Sequence, residues 1–172
     1  MSDYGLNFGF RRDEPSVKEG RYRVPATGDF RIGDLVTVDF ANPGFIKKAP
    51  DNARFEAGVT GLLIQEEGWH PSFYAAPIVD SFGRGKAVNG QPTAIYAGAG
   101  LKVWYRNTDA QTRPDGRRVD AVTVATVAGL ALGDLLKWDG SKWVKTTTDS
   151  QGALRVVGLD TETKYVEAVV RG

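Results

Sequence analysis

Two stretches of the chain, "RIGDLVTVDF" at residues 31–40 and "ALGDLLKWDG" at residues 131–140, share one pattern. In each, a Gly-Asp pair precedes a run that alternates apolar and polar residues. Glycine tolerates positive φ and aspartate bonds nearby backbone amides, so the pair is typical of a turn. The alternation predicts a strand, which in the first stretch puts Val36, Val38 and Phe40 on one face. We expect both stretches to open a hairpin and to bury the following side chains: Val36, Val38, Leu136 and Trp138.

The likeness between the two stretches continues downstream. "GFIKKAPDNA" (44–53) matches "SKWVKTTTDS" (141–150), and "GVTGL" (58–62) matches "VVGL" (156–159). Each copy then consists of a strand, a tight turn, a second strand, a loop and a third strand. Solenoids normally need three or more repeats of shorter period, so two such meanders indicate duplication within one all-β fold.

The predicted body is a single all-β domain at residues 31–172, a β-barrel or β-sandwich with little or no helix. Its two similar meanders cover residues 31–64 and 131–170. Between them, residues 66–92 contain several glycines and prolines and fit neither a helical nor a strand period. That composition predicts an irregular insertion.

Residues 1–30 differ from the rest of the chain. They contain Pro15 and Pro25, show no helical period and mix aromatic residues with charges. Such a segment cannot bury enough apolar surface by itself, so we predict an extended N-terminal arm that becomes ordered against a partner. The candidate contact residues of this arm are Tyr4, Phe8, Phe10, Arg11 and Arg12.

The composition favours no charged partner. The chain of 172 residues has a formal net charge of +1 and contains no cysteine. It therefore has neither disulfides nor thiolate metal sites, and we expect neither a nucleic acid nor a membrane as partner. The first residues lack the order of a signal peptide, so we expect a protein that is made and folded in a cytoplasm.

Catalytic chemistry finds little support in the sequence. His70 is the single histidine and has no serine or metal-ligand context, while Glu66 and Glu67 are adjacent and would point to opposite faces of a strand. The "GRGK" at 83–86 lacks the spacing of a phosphate loop, and the "GAG" at 98–100 lacks the third glycine of a dinucleotide site. We therefore expect no enzyme activity, no cofactor and no metal.

The tryptophans leave alternatives open. They could form a sugar-stacking platform, although Trp138 and Trp143 flank a tight turn and could instead pair across it. An OB-type single-stranded nucleic-acid module would place aromatic and basic residues of one strand on a barrel face. The residues for the first alternative are Trp69, Trp104, Trp138 and Trp143, and those for the second are Lys102, Trp104, Tyr105 and Arg106.

The repeated Gly-Asp-Leu pattern, with its "KWDG…WVK" hairpin near the C-terminus and the "TGLL" and "GL" stretches, resembles the head decoration (capsid cement) proteins of tailed bacteriophages. The resemblance covers residues 31–64 and 131–170. It implies a non-enzymatic protein that docks on the outer surface of the capsid and stabilises the shell. It also implies homo-oligomers, with trimers favoured, and an N-terminal arm laid on the major capsid protein.

Overall fold

The computed structural model describes residues 8–10, 18–25, 30, 33–65, 92–106, 108–112, 118–121, 124 and 126–172. The described residues form an all-β structure, as predicted. The strands are β1 (Phe8–Phe10), β2 (Lys18–Arg23), β3 (Leu35–Val38), β4 (Ile46–Lys48), β5 (Thr60–Gln65), β6 (Pro92–Tyr96), β7 (Lys102–Arg106), β8 (Thr108–Thr112), β9 (Arg118–Ala121), β10 (Leu135–Trp138), β11 (Trp143–Thr146), β12 (Leu154–Asp160) and β13 (Tyr165–Val170). Within the described ranges, the helical segments are two single 3-10 turns, Val127–Gly129 and Asp149–Gln151.

The strands form two large antiparallel sheets and one hairpin. The five-stranded sheet has the order β2-β6-β5-β3-β4, the six-stranded sheet has the order β1-β7-β13-β12-β10-β11, and β8 pairs with β9. Apart from β1, the second order repeats the first when β7, β10, β11, β12 and β13 replace β2, β3, β4, β5 and β6. The duplication is therefore larger than the predicted meanders. It comprises two five-stranded units, which we call unit 1 (β2 to β6) and unit 2 (β7 and β10 to β13).

Hydrogen bonds at the two Gly-Asp turns fix the equivalent positions. The amide of Gly33 donates to the carbonyl of Leu63 at 2.9 Å, and the amide of Gly133 donates to that of Val156 at 2.8 Å. Both glycines have positive φ, 94° and 89°, which explains why glycine stands there. Leu63 is thus equivalent to Val156, and the predicted match of 58–62 with 156–159 is wrong in register. The residues opposite them, in β6 and β13, are Ile95 and Ala168.

Among the described residues, each unit has one isolated parallel bridge, which in unit 1 connects the two edges of the sheet. In unit 1 the bridge joins Arg23 to Phe45, and the amide of Arg23 donates to the carbonyl of Gly44 at 2.8 Å. In unit 2 the bridge joins Val124 to Trp143. Unit 1 therefore curls towards a small barrel, and each unit has an inner face, an outer face and two ends.

The predicted burial of side chains after the two Gly-Asp turns is confirmed only in part. Val36, Leu136 and Trp138 are fully buried, and Val38 is half-buried against the core of unit 1. The prediction for Phe40 is wrong. The strand ends at Val38, and Phe40 lies in the following turn with 74% of its surface exposed. Period-2 alternation assigns a face only while the backbone stays extended, which explains the error.

The core has two parts. The smaller lies inside unit 1 and contains Val24, Phe30, Val36, Ile46, Leu63 and Ile95. The larger fills unit 2 and also includes Leu35, Ala49 and Leu62 of unit 1, so the two units share a packed interface. The predicted insertion lies outside the described residues; in the chain it falls between β5 and β6, where unit 2 has the four-residue turn 161–164.

Candidate interaction surfaces

The described parts of the predicted arm include two edge strands, β1 and β2, and two residues of the unit 1 core, Val24 and Phe30. Phe8–Phe10 pairs with β7 in the register Phe8↔Tyr105, Gly9↔Trp104 and Phe10↔Val103. Further along the arm, β2 pairs with β6. The positions of Tyr4, Arg11 and Arg12, and the side chains of Phe8 and Phe10, lie outside the described residues.

Among the described residues, β1 has no counterpart in unit 1, where β2 is itself the first strand of the sheet. It is therefore an addition to the repeated architecture, attached to unit 2 through main-chain pairing. An end strand presents main-chain donors and acceptors along its outer side, which another chain can pair with.

The interface between the units is built on one aromatic network. The Nε1 of Trp143 donates to the Tyr105 hydroxyl at 2.9 Å, and that hydroxyl donates to the carbonyl of Gly33 at 3.0 Å. The Nε1 of Trp138 donates to the carbonyl of Ala49 at 3.1 Å. All three aromatic side chains are fully buried. Burial raises the pKa of Tyr105 well above its usual value, which keeps this hydroxyl a neutral donor.

A loop of unit 1, residues 50–55, covers the tryptophan hairpin of unit 2. The amide of Asn52 donates to the carbonyl of Trp138 at 2.9 Å, and the ring of Phe55 stacks on Trp143 with centroids 6.2 Å apart. Arg54 extends the contact by donating to two carbonyls at 2.5 and 3.1 Å, those of Ser150 and Gly172. One end of unit 2 is closed in this way.

The tryptophans of the C-terminal hairpin are packing residues. Trp138 and Trp143 lie opposite each other in β10 and β11 and meet edge to face, with centroids 5.2 Å apart. Their burial removes them from any sugar platform. Trp104 is half-buried and stacks on Tyr165, whereas Tyr105 is in the core, so the two adjacent aromatics do not share an accessible face.

The equivalent end of unit 1 is open. A cleft of about 600 Å³ lies there between the first hairpin and the loop that follows β4. Val38 stands in this cleft at the position that Trp138 fills in unit 2, and the exposed Phe40 lines it. The complete lining is Thr37, Val38, Phe40, Lys47, Pro50, Ala53, Arg54, Phe55, Glu56, Val59 and Thr60.

A second exposed apolar patch lies on unit 2. Leu132 is 68% exposed and Val157 is 42% exposed. The two are brought together because Leu132 precedes Gly133, whose amide bonds the carbonyl of Val156, directly before Val157. Among the described residues, these two and Phe40 are the large apolar side chains with high exposure.

No family model matches this chain, and neither does any curated protein sequence. The assignment of a function therefore depends on the residues and their geometry.

Neither a metal site nor a membrane helix is present in the described part of the chain. The ranges given above contain no group of three or more His, Cys, Asp or Glu residues that could hold a metal ion. They also contain no helix long and apolar enough to cross a membrane. His70, Glu66, Glu67 and residues 83–86 lie outside the described residues.

The Gly-Asp turns carry a repeated ion pair. Asp34 pairs with Lys48 in unit 1, and Asp134 pairs with Lys145 at 2.6 Å in unit 2. The pairs differ in burial: Asp34 is 1% exposed, whereas Asp134 is 19% exposed. The hydrogen bond from Lys145 lowers the pKa of Asp134, and the amide of Ala131, at 2.8 Å, adds to the effect.

This lowered pKa of Asp134 gives a pH dependence with a definite sign. Because the folded-state pKa is below the unfolded value of about 3.9, the ionised Asp134 stabilises the protein above that pH, and the contribution is lost as the pH falls. We expect Asp134→Asn to unfold at lower urea concentration than the wild type at neutral pH. The difference should shrink as the pH falls below about 3.9 and disappear once the pH is below the lowered folded-state pKa of Asp134. Urea titrations at both pH values measure it. A difference that stays constant across this range contradicts the prediction.

Proposed function

We propose that this protein is a non-enzymatic structural protein of a tailed bacteriophage. In this role it binds the outer surface of the capsid and stabilises the shell, with the major capsid protein as its partner. It is made in the host cytoplasm and ends on the exterior of the virion as a homo-oligomer, with a trimer favoured.

The observation that carries the proposal is the strand formed by Phe8–Phe10 at the end of the six-stranded sheet. An arm that already adopts the extended conformation can offer the outer side of that strand to the shell protein by strand addition. The resemblance of the two Gly-Asp meanders to decoration proteins supports the same reading. Buried Trp138 and Trp143 disfavour the carbohydrate-binding alternative, and the opposite faces of Trp104 and Tyr105 disfavour the nucleic-acid one.

The proposal is tested by adding purified protein to capsids of the source phage prepared without it. Binding is measured as occupancy, and cryo-EM should show density on the outer surface. Phe8→Ala combined with Phe10→Ala keeps the main chain of the arm but removes both rings. Since burying one phenylalanine is worth about 1.5 to 3 kcal/mol, we expect the double variant to bind about a hundredfold more weakly or worse.

The matched control carries Thr161→Ala and Thr163→Ala, two substitutions in the exposed turn after β12. We expect its occupancy to equal that of the wild type. Wild-type protein that does not bind capsids contradicts the function itself. Full occupancy by the double phenylalanine variant contradicts only the role assigned to the arm.

A further inference from the structure

The interface between the two units is directional. Unit 1 contributes the outer face of its sheet, with Gly33, Leu35 and Leu62, while unit 2 contributes Tyr105 and the tryptophan hairpin. A contact in which the two sides use different surfaces leaves one surface unused on each partner. In the described part of the chain, the surfaces that this contact does not use are the outer sheet face of unit 2 and the aromatic side of unit 1.

The strand registers identify the residues on both unused surfaces. On unit 2, Leu135 and Arg155 lie opposite each other as Leu35 and Leu62 do on unit 1. Gly133 takes the place of Gly33, and its carbonyl takes the place of the acceptor for the Tyr105 hydroxyl. Within the chain this carbonyl accepts a long hydrogen bond, 3.4 Å, from Nη1 of Arg155 and keeps its second lone pair for a donor from outside.

On unit 1, the counterpart of Tyr105 is also a tyrosine. Tyr22 lies opposite Thr93, two residues before Ile95 in β6, and Tyr105 lies opposite Val166, two residues before the equivalent Ala168 in β13. Tyr22 is half-buried against the core of unit 1, near Val38. Both units thus carry a tyrosine at this position, and in unit 2 its hydroxyl bonds to the Gly-Asp turn of unit 1.

The exposed apolar side chains coincide with these two surfaces. Leu132 and Val157 flank Gly133 on the outer side of unit 2, and Phe40 lines the open end of unit 1 beside Val38. Large exposed apolar patches on a folded domain mark contact surfaces. In this chain they lie on the two surfaces that are equivalent to the two sides of the contact between unit 1 and unit 2.

We propose that this protein self-associates head to tail: the Leu132 and Val157 face of one copy packs on the Phe40 end of the next. In this contact the Tyr22 hydroxyl takes the place of Tyr105 and donates to the carbonyl of Gly133 in the neighbouring copy. The inference does not depend on the capsid proposal. A directional contact of this kind closes into a ring if its rotation permits and otherwise extends as a filament.

The contact between copies should be weaker than the one within the chain. Arg155 replaces Leu62 on one side, and Val38 replaces Trp138 on the other, so less apolar surface is buried. Sedimentation velocity of the full chain from about 1 µM to about 1 mM covers the corresponding range of affinities. We expect the sedimentation coefficient to rise with concentration over this range.

Two charge substitutions test the two faces separately. Phe40→Asp blocks the unit 1 end, and Val157→Asp blocks the unit 2 face; each variant alone should remain monomeric. Mixed together they keep one functional face each, so we expect them to form heterodimers and no larger species. Thr161→Asp, which adds the same charge in an exposed turn, should associate like the wild type. Tyr22→Phe, which removes one hydroxyl, should weaken association about tenfold, corresponding to about 1.4 kcal/mol.

Thermal unfolding of each variant shows whether the fold is intact. We expect wild-type melting for the three aspartate variants because their side chains are exposed, and for Tyr22→Phe because the half-buried ring stays in place. A wild type that stays monomeric across the concentration range overturns the proposal. A mixture of the two blocked variants that stays monomeric shows a contact of another kind and overturns it equally. The proposal is also overturned if Thr161→Asp loses association to the same extent as Phe40→Asp and Val157→Asp.

Discussion

Trp143→Ala is expected to lower the free energy of unfolding by about 3 to 5 kcal/mol, the usual range for removing a large aromatic side chain from a core. Trp143 is fully buried, contacts Trp138 edge to face and stacks on Phe55 from the other unit. Its Nε1 also donates to the Tyr105 hydroxyl. The substitution therefore leaves a cavity at the interface and removes the partner of a buried hydroxyl, two losses that add.

Urea unfolding followed by circular dichroism measures this loss. Phe40→Ala is the matched control, because it truncates an aromatic side chain that is 74% exposed, and we expect it to change stability by less than about 0.5 kcal/mol. A similar loss in both variants contradicts the assignment of Trp143 to the core. A biphasic transition in Trp143→Ala, with one unit unfolding first, would place the loss at the interface between the units.

The hairpins were predictable because their information is local. The turn at Gly133 and Asp134, the strand that follows and the pairing of Trp138 with Trp143 depend on residues that lie close together in sequence. Turn chemistry and period-2 alternation are sufficient for such elements. The same reasoning holds for the first copy up to Val38.

The order of the strands in the sheets could not be predicted from the sequence, because it depends on pairing between strands that are distant in the chain. β2 (KEGRYR) and β7 (KVWYR) both begin with lysine and end with Tyr-Arg, but so short a match did not mark them as equivalent, whereas their pairing with β6 and β13 does. For the same reason the third strand of each meander was matched in the wrong register. The signal lies in Tyr22-Arg23 and Tyr105-Arg106, which stand at equivalent places, but a match of two adjacent residues is too short to define a register.

The candidate surfaces were only partly predictable. The aromatic arm was identified from composition, but its pairing with β7 requires knowledge of which edge is available. Phe40 was placed on the same face as Val36 and Val38 because alternation continues through Asp39 in the sequence, whereas the strand ends at Val38. Leu132 and Val157 carry no sequence signal of exposure, since apolar residues beside a turn are as common inside a protein as outside.

The second large loss of stability is expected at the ion pair between Asp34 and Lys48. The equivalent pair of unit 2, Asp134 with Lys145, serves as its control. Asp34 is almost fully buried, and its partner Lys48 also lies 5.5 Å from the ring centroid of Phe30. Lys48→Met keeps most of the aliphatic stem but removes the ammonium that neutralises a buried carboxylate. Breaking a buried pair from one side costs about 3 to 5 kcal/mol, so we expect a loss of at least about 3 kcal/mol.

Lys145→Met makes the same substitution at the equivalent position of unit 2, where the lysine is 45% exposed. Water can hydrate Asp134 after the change, and exposed ion pairs contribute little to stability, so we expect a much smaller loss than in Lys48→Met. Urea titrations of both variants at neutral pH give the comparison. Adding Asp34→Asn to Lys48→Met should recover part of the loss, because the remaining buried group is then neutral. Equal losses of stability in Lys48→Met and Lys145→Met would mean that burial does not distinguish the two ion pairs. If Asp34→Asn recovers no stability, Lys48 acts through packing against Phe30 rather than through its charge.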